Sequence, residues 1–115
     1  MNNLKIKFES ESGNEITEMT KNKVTKAIYT LFHVLKEKPL NFVDDVDYDS
    51  PEYMTVDDTD LKSMLEFDPV ASLSVFEDWE GNETIEVHVG FLMFLIKTKE
   101  DTDYLIIGDR EILLR

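Results

Sequence analysis

The stretch Glu83-Thr84-Ile85-Glu86-Val87-His88-Val89-Gly90-Phe91-Leu92-Met93-Phe94-Leu95-Ile96 decides the fold. In its first half Ile85, Val87 and Val89 alternate with Glu86 and His88, the period of two that marks a strand with one buried face. From Phe91 to Ile96 every residue is apolar, the pattern of a strand covered on both sides. Upstream, Ala71, Leu73 and Val75 alternate with Ser72 and Ser74, and Glu80-Gly81-Asn82-Glu83 supplies a tight turn, so a hairpin is expected. Downstream, a turn at Glu100 to Asp103 leads into Tyr104-Leu105-Ile106-Ile107, and Gly108-Asp109 is a bulge or turn before Ile112-Leu113-Leu114.

The first half of the chain has a different period. Leu4, Ile6 and Phe8 alternate with Lys5, Lys7 and Glu9 as one strand, followed by turn residues Ser12-Gly13-Asn14. Met19, Val24, Ala27, Ile28, Leu31, Val34 and Leu35 then predict a helix over Thr17 to Lys36, capped by Thr17 or Thr20 and ended by Pro39. Leu40 to Val43 is short and extended, and Asp44 to Glu52 reads as a loop or edge strand. Asp58-Thr59-Asp60 caps a short helix through Leu61, Met64 and Leu65 that stops at Asp68-Pro69. The expectation is one α+β domain over residues 1–115. It has an N-terminal strand, one long amphipathic helix, an acidic segment with a short helix, and a C-terminal antiparallel meander of three to four strands packed on the long helix.

The two-faced strand Phe91 to Ile96 needs two covers. The long helix supplies one, and the acidic segment with its short helix is the expected second. A second copy of the chain, giving a homodimer, or another protein are the alternatives.

Composition narrows the function classes. An apolar content of 42% with 10% aromatics allows a folded core in 115 residues. There is no cysteine, hence no disulfide framework and no thiol chemistry, and a reducing cytoplasm is the expected location. Met1 to Ser12 lacks the apolar run of a signal peptide, and Val89 to Ile96 is far shorter than the roughly 20 residues of a membrane helix. Asn82-Glu83-Thr84 matches a glycosylation acceptor, but with no secretory route expected the match is read as chance.

The net charge of −13 is unevenly placed. Met1 to Lys38 carries +2, Pro39 to Asp68 carries −9, and Pro69 to Arg115 carries −6. Such a surface repels phosphate and attracts basic proteins, so direct nucleic-acid binding through the usual basic footprint is not expected, and a basic partner is.

Catalysis and metal binding have little to stand on at this level. The histidines, His33 and His88, have no glycine-framed serine elbow beside them, and the four glycines are too scattered for a phosphate loop. No catalytic residue, cofactor or metal ligand is assigned. Asp45-Val46-Asp47-Tyr48-Asp49 resembles the opening of a calcium loop, but Ser50 stands where the sharp turn needs glycine and Val56 where a glutamate should close the shell.

The same spacing has another use. In an extended chain, alternate carboxylates lie about 6–7 Å apart and imitate the charges of a nucleic-acid strand. The expected contact set is Asp44, Asp45, Asp47, Asp49, Glu52, Asp57, Asp58 and Asp60, with Glu77, Asp78, Glu80 and Glu83 as a second cluster. Trp79, set among these last acids, is either a hot spot for an arginine-rich partner or an anchor for the end of the core.

No family motif is present. In general character, short, acidic, cysteine-free and rich in Lys, Asn and Asp, the chain is similar to small phage and mobile-element proteins that block a host factor. The expected function is a non-enzymatic inhibitor of a basic nucleic-acid-handling protein, for example a CRISPR or restriction nuclease. The alternatives are an immunity or antitoxin-like protein that neutralises a basic toxin, and an interaction subunit that pairs through its sheet.

Overall fold

The structure, a computed structural model, describes residues 5–11, 13, 15–44 and 52–114, with the backbone alone for 42–44 and 52–54. The elements run β1 (Lys7–Ser10), α1 (Glu18–Glu37), β2 (Leu40–Asp44), β3 (Glu52–Val56), α2 (Asp58–Phe67), β4 (Val70–Glu77), β5 (Glu83–Val89), β6 (Leu92–Lys99), β7 (Thr102–Ile107) and β8 (Arg110–Leu113). A mixed α+β fold results, with the expected N-terminal strand, long helix, short helix and C-terminal antiparallel meander.

The main sheet has the order β1-β4-β5-β6-β7-β8, and β2 and β3 form a separate two-stranded ribbon. Gly108-Asp109 is a turn, which makes β8 a separate strand and brings the meander to five. β1 runs parallel to β4, with Lys7 opposite Val70 and Ser10 opposite Leu73. A parallel neighbour requires the chain to cross back over one face of the sheet. Here the crossover carries both helices, which share a single buried core with that face.

Local chemistry sets the helix ends. Thr17 caps α1 by accepting a hydrogen bond from the Thr20 backbone N–H at 3.2 Å. At the other end Arg110 donates to the Lys38 and Pro39 carbonyls, each at 2.6 Å, and so ties the start of β8 to the exit of the helix. α2 starts one residue earlier than the sequence suggests, because Asp57 and Asp60 form a reciprocal capping box.

The core is built from Val24, Ala27, Ile28, Leu31, Phe32 and Leu35 of α1, Leu61 and Leu65 of α2, and the alternate strand residues facing them. Met19 does not belong to the expected stripe and is 70% exposed. It lies nine residues before Ile28, two and a half turns at 3.6 residues per turn, and so points from the opposite side of the helix. Phe32, four residues after Ile28, takes a place on the buried face.

The two faces of the sheet differ. Ala71, Leu73, Ile85, Val87, Phe94, Ile96, Leu105 and Ile107 are buried beneath the helices. On the other face lie Ser72, Ser74, Phe76, Glu86, His88, Met93, Leu95, Lys97, Tyr104, Ile106 and Leu113, matched in register across neighbouring strands. The expectation that the short helix covers this outer face fails, because α2 packs against α1 on the inner side and sets Met64 against the Gly90 turn. Among the described residues no helix lies on the outer face, and Met93 there is 46% exposed. Among the described residues no helix is long and apolar enough to cross a membrane.

Candidate functional site

β4 and β5 are joined by residues 78–82, and Asp78 organises this loop. Its Oδ1 accepts from the backbone N–H groups of Glu80 and Asn82, both at 2.9 Å, while its own N–H donates to the Asn82 carbonyl and its carbonyl accepts from Gly81. Such local bonds are what an aspartate offers a turn that a longer side chain does not. Oδ2 completes the arrangement by pairing with Lys97 Nζ at 2.8 Å, which fastens the loop to the outer face of β6. The Lys97 hydrogen bond and then the Asn82 N–H hold the Asp78 carboxyl below the usual carboxylate range, and the same contact raises Lys97.

The fixed loop presents Trp79 wholly to solvent, at 105% relative exposure. The reading of Trp79 as a core anchor is therefore corrected: its ring touches no core, because the Asp78 turn carries it beyond the end of the sheet. Phe76, also exposed, forms with Glu77, Asp78 and Trp79 a shallow open concavity. Glu77 and Glu83 stand directly opposite each other in the last rung of the hairpin, and Glu80 lies beyond them at the tip. Like charges so placed cost stability in a sheet. Lys23 of α1 relieves part of that cost by approaching Glu83 at 3.8 Å, while it also contacts Asp103 and donates to Thr98.

The tip thus joins one large aromatic ring, a second partly exposed ring and three carboxylates on a turn whose shape is set by hydrogen bonds. That combination suits recognition of a cationic, partly apolar protein surface.

The remaining members of the expected contact set are distributed differently. Asp45, Asp47 and Asp49 lie outside the described residues, as does the stretch expected to resemble a calcium loop; Asp44 and Glu52 form the last described rung of the β2–β3 ribbon. Asp57 and Asp60 are engaged in the capping box, and Asp58 sits in the first turn of α2, where negative charge complements the helix dipole. These three therefore begin a helix instead of continuing an extended row.

His33 is exposed on α1, and His88 lies on the outer face across the sheet from that helix, so the fold keeps the two apart. His88 is instead grouped with Glu86 at 3.3 Å and Glu11 at 3.9 Å, a set that can hold a metal ion. Sequence reasoning missed this grouping and the exposure of Phe76. Glu86 and His88 share a face by simple alternation and were open to discovery; Glu11 joins them only through the parallel β1–β4 pairing.

Compared with known proteins, the chain matches no family model, no curated protein and no solved structure.

Proposed function

We propose that this chain is a non-enzymatic binding protein that inhibits a basic, nucleic-acid-handling protein in the cytoplasm, with the β4–β5 tip as its anchor. The observation that carries the reading is Trp79, wholly exposed on a turn held by Asp78 and flanked by Glu77, Glu80 and Glu83. Burying a tryptophan of roughly 150–250 Å² in an interface contributes about 4–6 kcal/mol before ordering costs, which is why such rings dominate binding energy. The carboxylates supply approach rate and selectivity for a basic surface. The net charge of −13 and the absence of cysteine support a cytoplasmic partner of opposite charge. The acids from Asp44 to Asp60 add a second negative region to the same reading.

Capture from a host-type lysate at low salt tests it, using the native chain, Trp79→Ala, and a chain with Glu77, Glu80 and Glu83 changed to Gln. A nucleic-acid enzyme retained by the native chain, lost with both variants and displaced by DNA or RNA is the expected result. Retention that is unchanged in both variants overturns the assignment of the tip. A captured partner that nucleic acid does not displace marks instead an immunity-type mode, with binding away from the partner's nucleic-acid groove.

A further inference from the structure

The outer face holds a second grouping of side chains, separate from the hairpin tip. Glu86 and His88 are two residues apart on β5 and project from the same face. Glu11 follows directly on β1, with its backbone N–H donating to the Leu73 carbonyl of β4. β1 and β5 are two strand spacings apart, about 10 Å, so Glu11 and the β5 side chains meet only by leaning across β4. The β4 residues facing outward there are Ser72, paired with His88, and Ser74, paired with Glu86. These small side chains leave the crossing open.

The ligand atoms are already close. His88 Nε2 lies 3.3 Å from Glu86 Oε2 and 3.9 Å from Glu11 Oε1, and all three candidate ligand atoms fall within 4.8 Å of one another. A tetrahedral ion with bonds of roughly 2.0–2.1 Å needs ligand atoms about 3.3 Å apart, so small side-chain rotations suffice. Among the described residues both glutamates approach the His88 ring, and neither forms a salt bridge with a lysine or arginine.

We propose that Glu11, Glu86 and His88 bind one divalent ion of the zinc class. An imidazole nitrogen with two carboxylates suits zinc and its first-row neighbours, whereas calcium and magnesium prefer all-oxygen shells. The two carboxylates balance the charge of the ion, and the overall negative charge of the chain raises its local concentration. Three protein ligands leave a fourth position open. Because the side chain of His88 is 42% exposed on the outer sheet face, that position is reachable by water or by a ligand atom from a bound partner.

Titration of the full chain with Zn²⁺, followed by calorimetry and by the ¹⁵N resonances of the His88 ring, tests the site. One equivalent is expected to shift His88 Nε2, and His88→Ala or Glu11→Gln to weaken binding at least about ten-fold. His33→Ala is the control and should leave affinity unchanged. Circular dichroism of each variant shows that the fold persists, which these partly exposed positions favour. A His88 ring unmoved by one equivalent, or His88→Ala binding zinc as tightly as the native chain, overturns the proposal.

Discussion

The inner and outer faces of the main sheet are made by the same strands, yet they have opposite fates. Phe94 points inward and is 1% exposed, while its neighbour Met93 points outward and is nearly half exposed. On β6 the sequence does not distinguish them, since both are large and apolar. What does is the crossover from β1 to β4, which must return over one side and brings both helices with it. Hydrophobicity alone states that a residue tolerates burial; topology decides which of two eligible residues receives it.

The largest test of this contrast is a pair of truncations. Phe94→Ala should lower stability by about 3–5 kcal/mol, the usual cost of a cavity under a buried aromatic, while Met93→Ala should stay within about 0.5–1 kcal/mol. Urea unfolding of both variants provides the measurement. Near-equal losses would show that something covers the outer face as thoroughly as the helices cover the inner one.

A second test acts where the inner layer meets a turn. Gly90 has φ +57° and Phe91 does not share the positive value, the pattern of a two-residue hairpin that requires glycine in its first position. A Cβ added there would lie 2.7 Å from Met64 Sδ. Gly90→Ala should therefore cost about 1–2 kcal/mol, from backbone strain and from displacement of α2. Thermal unfolding of Gly90→Ala beside Gly90→Ala/Met64→Ala separates the two causes, since the second variant relieves only the contact.

The opposite sign is expected at the next turn. Glu100 and Asp101 both have positive φ, at 50° and 64°, in a two-residue connection that glycine and asparagine enter at less cost. Replacing the pair by Asn-Gly should raise stability by about 1 kcal/mol, measurable as a higher urea midpoint with an unchanged slope.

The smallest effect is confined to acid. Asp78 has its carboxyl held below the usual range by Lys97 and by the Asn82 N–H. A depressed folded pKa contributes stability that is present above the unfolded value, about 3.9, and is lost as pH falls toward the folded one. The stability gap between the native chain and Asp78→Asn should hold steady from pH 7 to 5 and narrow below about pH 4. A gap that is constant down to pH 2 would mean that Asp78 is not linked to folding.

Much of the architecture was legible where chemistry is local. The stripe from Val24 to Leu35, the stop at Pro39 and the alternation through Ile85, Val87 and Val89 each report on neighbours a few residues away. The turn at Gly90-Phe91 was hidden because apolar residues run through it and mask the break between β5 and β6. The shared face of the two helices and the partnership of Glu11 with His88 follow from pairing between distant segments, on which a one-dimensional pattern carries no mark. Trp79 shows the same limit at a single residue: its acidic neighbours were visible, but its exposure depends on how Asp78 bends the loop.

The parallel register of β1 also imposes an order of events on a chain made from its N-terminus. Lys7 is synthesised long before Val70, so β1 and the inner face of α1 exist for a time without the sheet that completes them. The meander closes through neighbouring hairpins, contacts of short sequence separation, whereas β1 can pair only once the distant β4 has been made. The closeness of Glu11 to His88 depends on that late pairing, since only the parallel β1–β4 register carries Glu11 to the outer face beside β5.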